Sequence, residues 1–403
     1  MATTALPSPA ILEAAAGAPM LAQVERWAAI NSGSHNLAGL ATIAGLLADA
    51  FAELPGEVTL VEAPSAESVA ADGSRIALEH GRNLRVSVRP EAERRILLTG
   101  HMDTVFAIDH PFQALRWLDD ATLNGPGVAD MKGGIAVMLA ALKAVEASPL
   151  AARIGYDVIV NSDEEIGSLG SAPLIAEAAR GKLAAFTYEP AALPDGTLAG
   201  ARPGSGNFSI LVEGRSAHAG RNPEDGRNAI LAAADLALRL ADAKGPGLSV
   251  NPAKIDGGGP NNMVPDRAVL RVNMRPMTPE DELRARTLLD RAIADVAARH
   301  DVRIHAHGGF NRPPKPMDAK AERLFGLVRD CGRELGLAIG WKASGGVCDG
   351  NNIAACGVPV VDTMGVRGGA IHSSDEYLIA DSLAERAQLS TLVLLRIAER
   401  GIA

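Results

Sequence analysis

The sequence of 403 residues predicts an α/β fold: a mixed, mostly parallel sheet with helices on both faces, plus an inserted α+β sandwich. Three observations support this prediction. Apolar runs alternate with segments of helical period in the first half of the chain, and the middle of the chain has strands with one polar face. In addition, the chain is too long for one ordinary hydrophobic core, which favours two domains.

The first half of the chain alternates predicted strands and helices. Short apolar runs at 95–100, 156–160 and 186–188 predict buried strands. Segments 130–147 and 171–182 lie between them and place their apolar residues on one helical face. Because neighbouring parallel strands need a crossover connection, this order predicts a parallel sheet. An Ala- and Leu-rich segment that precedes them is also predicted to be helical, over residues 10–54.

The middle of the chain has a different pattern. Its predicted strands alternate polar and apolar residues, which is typical of a sheet with one exposed face. These strands are separated by two predicted helices; the strands are 207–213, 268–274 and 302–306, and the helices are 228–240 and 279–300. We therefore predict an inserted domain over 203–314, and a first domain made of 1–202 and 315–403.

Composition excludes several classes of protein. The formal charge is 39 − 48 = −9, whereas a nucleic-acid binder needs a basic face. No apolar run is long enough to predict a membrane span. The three cysteines form no CxxC motif, which indicates a reducing compartment and no thiolate zinc site. Residues 1–10 lack the positive region of a secretory signal, so we expect a cytoplasmic location.

Polar residues that could bind a metal follow the first predicted strand. His101 and Asp103 come directly after it, at the strand end where α/β sheets build their sites. His101 could offer a ring nitrogen to a metal, and Asp103 could hold the other ring N–H. Asp130 lies between pairs of glycines that permit close approach of the backbone. A polar turn for the first pair and an ordinary helix cap for Asp130 remain alternatives.

Acidic residues follow the other two strands. Glu164 and Glu165 come after the second strand, and Glu189 ends the third. Solvated loop acids are the common interpretation, but adjacent glutamates also suit a pair in which one binds metal and the other acts as general base. With His372, these side chains offer imidazole and carboxylate without thiolate, which suits zinc, or cobalt or manganese as substitutes. Several such strand ends converging would favour two metal ions bridged by one carboxylate.

Six motifs in order now point to a family. They are His101-Met-Asp-Thr-Val105, Gly125-Pro-Gly-Val-Ala-Asp-Met-Lys-Gly-Gly134, Ser162-Asp-Glu-Glu-Ile-Gly-Ser168, Tyr188-Glu-Pro190, Arg215-Ser-Ala-His-Ala-Gly220 and His372-Ser-Ser-Asp375. From about residue 35 to 402, the chain resembles the zinc metallopeptidase family of glutamate carboxypeptidase, acetylornithine deacetylase and succinyl-diaminopimelate desuccinylase. The glutamate carboxypeptidase branch is the most similar.

The resemblance implies a role for each of these residues. Residues 1–202 and 315–403 would be the catalytic domain with two Zn²⁺, and 203–314 a lid and dimerisation domain. Glu164 would be the general base, Asp103 would orient His101, and His218 would stabilise the oxyanion, reaching across a homodimer. The Asp130–Met131 peptide would be cis, with Asp130 bridging the metals. The implied ligands are His101, Asp130, Glu165, Glu189 and His372.

The resemblance also implies where substrate binds. Arg275 would pair with a substrate carboxylate, and Asn262 would lie near the substrate. The glycine-rich loop with Ser344, Gly345 and Gly346 would line the pocket. Two departures leave strict glutamate specificity open: Thr197 stands where the glutamate-releasing branch has lysine, and Val347 where it has a third glycine.

The function expected from the sequence is hydrolysis of an amide or peptide bond. The expected substrate is a small peptide or N-acyl amino acid, with release of a C-terminal amino acid by a zinc-activated water. The alternatives are an N-acyl-amino-acid deacylase and, more remotely, a metal- or ligand-binding protein without activity. A nucleotide-binding oxidoreductase would need a G-x-G-x-x-G motif after the first strand, where this chain has His101.

Overall fold

The fold consists of helices packed around two main sheets in a computed structural model that describes residues 9–402. The absence of a secretory signal was predicted for residues 1–10, which lie mostly outside this range. The α-helices are α1 Pro9–Ala16, α2 Met20–Ala28, α3 Leu37–Phe51, α4 Gly134–Glu146, α5 Ala172–Ala179, α6 Ala229–Asp242, α7 Pro279–His300, α8 Ala319–Glu334, α9 Asp349–Ala355 and α10 Asp381–Arg400. The strands are β1 Glu57–Val61, β2 Ala66–Val69, β3 Arg75–Leu78, β4 Asn83–Val88, β5 Arg94–His101, β6 Arg116–Trp117, β7 Thr122–Asn124, β8 Ile154–Asn161, β9 Ala184–Thr187, β10 Leu198–Ala199, β11 Ser205–Glu213, β12 Leu248–Gly257, β13 Arg267–Pro276, β14 Arg303–Arg312, β15 Trp341–Lys342, β16 Val360–Val361, β17 Gly368–Gly369 and β18 Tyr377–Ile379.

The central sheet has six strands in the order β1-β4-β8-β5-β9-β16. Strands β8, β5, β9 and β16 are mutually parallel. At one edge, β4 pairs antiparallel with β8, and β1 pairs antiparallel with β4. All of β8 and most of β5 are buried, as expected for strands covered on both faces. The predicted mixed, mostly parallel sheet is confirmed.

Helices cover both faces of this sheet. Alternate residues of β5 point to opposite sides: Ile96 and Leu98 belong to the core under α4 and α10, and Leu97 belongs to the core under α5 and α9. This division explains why the strand reads as a continuous apolar run. None of the helices within residues 9–402 combines the length and the apolar composition needed to cross a bilayer.

A second sheet, in the order β12-β13-β11-β14, is entirely antiparallel. Helices α6 and α7 cover one face and share a separate hydrophobic core with it. The other face was predicted to be exposed, but the β2–β3 hairpin partly covers it. Val69 of the hairpin packs with Leu211 and Val269, and Arg271 donates to the Val69 carbonyl at 2.6 Å. The sequence did not predict this hairpin.

The two chain segments that connect the sheets run side by side. Arg202 donates its backbone N–H to the Lys315 carbonyl at 2.9 Å, and Lys315 donates to the Arg202 carbonyl at 3.0 Å. The chain therefore enters and leaves the second sheet through one antiparallel pair. The division of the chain at 203–314 stays a prediction.

Candidate metal centre and active site

Three neighbouring parallel strands supply most of the polar side chains at the site. His101 is the last residue of β5, Glu164 and Glu165 follow β8, and Glu189 follows β9. Because β8, β5 and β9 are adjacent and parallel, their carboxyl ends meet at one edge of the sheet. This placement explains how residues far apart in sequence come together.

Asp130 reaches the same edge from a turn before helix α4. The turn spans Val128–Gly133, and its Asp130–Met131 peptide is cis, as the resemblance implied. Helix α4 therefore begins at Gly134, four residues later than the predicted start at 130. Glu376 holds the turn by accepting backbone N–H groups of Gly127 at 3.1 Å, and of Ala129 and Asp130 at 3.0 Å each.

The five predicted ligands form two groups around Asp130. On one side, His101 Nε2 lies 3.1 Å from Asp130 Oδ1 and 3.6 Å from Glu189 Oε2. On the other side, His372 Nε2 lies 3.3 Å from Asp130 Oδ2 and 3.2 Å from Glu165 Oε2. The two oxygens of Asp130 thus face different groups, each with one imidazole and one further carboxylate.

The electrostatics of this cluster fit a bound cation. Burial and, after it, the neighbouring Asp130 carboxylate raise the pKa of Glu189 to about 8 and that of Glu165 to about 7. Keeping these carboxylates ionised near neutral pH therefore requires nearby positive charge. Ligand atoms of His101, Asp130 and Glu165 lie within 4.8 Å of one another, as do those of His101, Glu164 and Glu189. The donor set of imidazole and carboxylate suits zinc.

Asp103 lies behind His101 and joins the strand ends. Its Oδ1 is 3.4 Å from His101 Nδ1 and accepts the backbone N–H of Glu164 at 3.1 Å. Its Oδ2 accepts the backbone N–H of Glu165 at 3.1 Å and the Ser34 hydroxyl at 2.7 Å. The position suits the predicted role of orienting His101, and it also fixes the loop with both glutamates.

Glu164 differs from the five ligand candidates in its partner. Its Oε1 accepts a hydrogen bond from Arg312 Nη2 at 2.7 Å. Burial raises the pKa of Glu164 to about 8, although the Arg312 guanidinium and His101 act to lower it. Judged by distance alone, Glu164 could also bind a metal ion together with His101. Its ion pair with Arg312 distinguishes it from Glu165 and Glu189.

A cavity of about 650 Å³ opens beside the cluster. Ser344, Gly345 and Gly346 line it, as predicted, and so does Val347. Arg275 contacts this loop by donating from Nη1 to the Gly345 carbonyl at 2.7 Å. The structure therefore brings three of the five predicted substrate-binding residues to the cavity, and Arg275 contacts one of those three.

His218 and Asn262 lie together elsewhere. Both are exposed, and the Asn262 carbonyl accepts the backbone N–H of Ala219 at 2.9 Å. Neither is among the residues that line the cavity within this chain. Their predicted roles stay predictions.

Sequence reasoning missed two buried residues at the site and considered a third, Arg202, only as a substitute for the lysine that Thr197 replaces. Arg312 stands in a Pro-rich segment read only as the end of a domain, and Glu376 follows the His372 motif directly. Arg202 lines the cavity and forms a buried ion pair with Asp362, with Nε to Oδ2 at 2.8 Å. A charged residue beside a recognised motif or a predicted boundary is the signal that could have found the first two.

Comparison with known proteins identifies the family. Residues 97–396 match the model for peptidase family M20/M25/M40. The chain belongs to this family. It is therefore a metal-dependent hydrolytic enzyme of the peptidase and amidohydrolase class. The prediction from the six motifs is confirmed, and the alternatives of an inactive binding protein and of an oxidoreductase are not supported.

Individual proteins of known name are similar to this chain. The chain is 29% identical to carboxypeptidase G2 of Pseudomonas sp. (strain RS-16) over 320 residues, covering 78% of this chain and 77% of that protein. It is 28% identical to succinyl-diaminopimelate desuccinylase of Psychrobacter arcticus over 324 residues, covering 74% and 77%. Among solved structures, the Bacillus subtilis protein YXEP, described as a dinuclear metal binding peptidase, superposes with a TM-score of 0.67 at 15% identity, covering 97% of this chain and 99% of that one. The last likeness shows a shared fold.

Proposed function

We propose that this enzyme binds two Zn²⁺ ions and cleaves an amide bond to release a C-terminal amino acid. The observation that supports this most directly is the arrangement around Asp130, whose two carboxylate oxygens face two separate groups of ligands. The dinuclear metal site named for a protein of the same fold agrees with that arrangement.

The chain's own residues suggest how two ions would be held. Asp130 would bridge them, His101 and Glu189 would complete one site, and His372 and Glu165 the other. Zinc is the proposed metal because the donors are imidazole and carboxylate without thiolate, and cobalt or manganese are possible substitutes. Ions at such a site lower the pKa of a bound water and polarise a carbonyl.

Glu164 is the proposed general base. Glu164 lies beside the ligand cluster and lines the cavity. Its carboxylate pairs with the Arg312 guanidinium, whereas the ligand candidates Glu165 and Glu189 each lie beside an imidazole. Glu164 would accept a proton from the attacking water and return that proton to the leaving amine. Asp103 supports this role because it fixes the backbone N–H of Glu164.

A carboxypeptidase direction is favoured by the loop beside the cavity. Arg275 lies against Gly345, and a guanidinium there suits a substrate's terminal carboxylate because it can donate two parallel hydrogen bonds. The relative named carboxypeptidase G2 agrees with this direction. A deacylase is the alternative, since a relative named succinyl-diaminopimelate desuccinylase is similar to nearly the same extent.

Residues 203–314 are proposed to form a lid and to mediate a homodimer. Strand β12 is a free edge of the second sheet, and the neighbouring helix α6 exposes Leu231 by 59% and Leu238 by 68%. An open edge beside exposed leucines suits contact with a second copy of the chain. The partner's lid would then bring His218 and Asn262 to the cavity to stabilise the oxyanion and bind substrate.

The test is hydrolysis of a panel of amides by the zinc-loaded enzyme. The panel holds folate, N-acyl-glutamates, other N-acyl amino acids, N-acetylornithine, N-succinyl-diaminopimelate and dipeptides. Pairs of substrates that share the acyl group and differ in the C-terminal residue, and pairs with the reverse difference, show which side of the bond is recognised. A strong dependence on the C-terminal residue supports a carboxypeptidase, whereas dependence on the acyl group alone supports a deacylase.

A further inference from the structure

Arg312 contacts Glu164, the proposed base, and has no role in the proposed function above. It is the last residue of β14, where the chain leaves the second sheet, and only 4% of it is exposed. A buried guanidinium is costly unless its donors and charge are satisfied. The residues that satisfy Arg312 therefore indicate what it does.

Its partners come from the loop after β8 and from helix α9. Nη2 donates to Glu164 Oε1 at 2.7 Å, to Ser168 Oγ at 2.9 Å and to the Glu164 carbonyl at 3.2 Å. Nη1 donates to Asp349 Oδ1. Arg312 thus contacts both the side chain and the backbone of the proposed base.

The surrounding contacts make this arrangement rigid. Ser168 Oγ donates to Asp349 Oδ1 at 2.6 Å, and Asn161 donates to Asp349 Oδ2 at 2.9 Å. Burial alone would lower the pKa of Arg312, but Asp349 and Glu164 raise it above its ordinary value, so the guanidinium stays charged. Asp349 balances part of that charge and anchors Arg312, because Asp349 is itself held on both oxygens.

We propose that Arg312 is a positioning residue, which holds the Glu164 carboxylate in its place beside the ligand cluster. This inference rests on the proposed role of Glu164 as general base. Because Arg312 ends the last strand of the second sheet, the position of the base depends on the point where that sheet joins the central one. Without this contact, the flexible Glu164 side chain would less often have an orientation that lets it accept a proton from the attacking water.

The variants that test this are Arg312→Met, which removes the donors, and Arg312→Lys, which keeps a buried charge but cannot bridge Glu164, Ser168 and Asp349 together. We expect each to lower kcat by about tenfold or more while KM changes by less than about threefold, because substrate binding is retained. Zinc content and the melting temperature are measured for both. Lysine preserves the charge balance, so it supplies the measurement if methionine prevents folding.

A double-mutant cycle separates positioning from a general structural role. Glu164→Asp retracts the carboxylate from Arg312 while leaving a base with measurable activity. If Arg312 acts through Glu164, adding Arg312→Lys to Glu164→Asp lowers kcat by less than about twofold more. If the two losses multiply, Arg312 acts independently of Glu164 and the inference is wrong. Failure of the zinc-loaded wild type to hydrolyse any amide would instead contradict the proposed function itself.

Discussion

Glu376 accepts the backbone N–H of Asp130 at 3.0 Å, and both residues are buried. Four residues before Glu376, His372 places its Nε2 3.3 Å from Asp130 Oδ2. The turn at 128–133 and the segment 372–376 are therefore in contact twice, once through this hydrogen bond and once through two proposed metal ligands. The position of Asp130, the proposed bridging carboxylate, therefore depends on the segment that supplies His372.

Glu376→Gln is expected to weaken metal binding. The two Glu376 oxygens accept the backbone N–H of Gly127 on one side and those of Ala129 and Asp130 on the other. In glutamine, an NH₂ group would replace one of these oxygens and would face N–H donors that it cannot accept. Loss of a residue that supports a ligand typically costs about 10- to 100-fold in metal affinity or activity. Competition with a chelator measures the affinity. Glu91→Gln, on the exposed surface, is the matched control, and equal affinities in the two variants would contradict this account.

Asp103→Asn is expected to reduce activity by about 10- to 100-fold. The Asp103 carboxylate accepts two backbone N–H groups from the loop with Glu164 and Glu165, and an amide cannot accept on both atoms. Steady-state kinetics of the zinc-loaded variant measure the loss. Asp109→Asn, at an exposed position six residues away, should match the wild type. Full activity of the Asp103 variant would show that the loop does not need this anchor.

Removing the metal is expected to abolish hydrolysis and to make stability depend on pH. Burial raises the pKa of Glu164 and of Glu189 to about 8, so without metal these groups bind more protons folded than unfolded. Their stabilising effect is present when they are protonated and is lost as pH rises through the raised pKa. The metal-free protein should therefore melt at lower temperature as pH rises from about 5.5 to 8.

Zinc should restore much of the melting temperature lost at high pH, because its positive charge neutralises the buried carboxylates that have lost their protons. The difference in melting temperature between zinc-loaded and chelated protein should grow with pH over the same range. Calorimetry at several pH values measures both forms. A difference that is constant with pH would mean that the clustered carboxylates do not bind the ion.

Arg202→Met is expected to destabilise the fold. Arg202 Nε lies 2.8 Å from Asp362 Oδ2 and Nη2 lies 3.1 Å from Oδ1, and both side chains are buried. Breaking a buried ion pair from one side costs about 3–5 kcal/mol because the remaining charge is left unpaired. Lys315 lies 3.0 Å from Asp362 and should place the cost towards the lower end. Denaturant unfolding measures the change.

The matched control for that variant is Arg75→Met. Arg75 pairs with Glu67 at 3.2 Å, but the two side chains are 61% and 66% exposed. Exposed pairs contribute about 0–1 kcal/mol, so this change should be small. Similar losses in both variants would mean that burial does not decide the cost here.

Disrupting the exposed face of α6 is expected to dissociate the proposed homodimer. Leu231→Glu combined with Leu238→Glu would bring charges into the proposed contact. Leu283→Glu on α7, at a leucine that is 68% exposed, is the control. Sedimentation at micromolar concentration measures the mass. A monomeric wild type would contradict both the dimer and the proposed action of His218 from the partner.

The sequence predicted the parts of the fold that have strong local patterns. Helix α7 begins at Pro279 and ends at His300, as predicted, because Thr278 caps it and its apolar period is continuous. Strands β1 and β4 were missed; they lie at the edge of the sheet and are joined to it by antiparallel pairs, outside the strand–helix alternation that predicted the other strands. The β2–β3 hairpin was missed for a different reason: half of its strand residues are exposed, and it packs against a sheet that is distant in sequence.

The sequence likewise predicted part of the candidate site. The five ligand candidates came from motifs at strand ends that repeat a known order. The structure brings their side chains together, and their role as ligands stays a prediction. Arg312 and Asp349 were not found, because their importance lies in contacts between segments 37 residues apart or more. Such pairs of buried charges leave no periodic signal in a sequence.

The central claim is that metal held around Asp130 and the base Glu164 together hydrolyse an amide bond. The most direct measurement compares amide hydrolysis by the wild type and Glu164→Ala, with zinc content determined for both. We expect two zinc ions per chain in each protein, hydrolysis by the wild type, and a loss of at least about 1,000-fold in kcat for the variant. Undiminished hydrolysis by a Glu164→Ala enzyme with both ions bound would contradict the account.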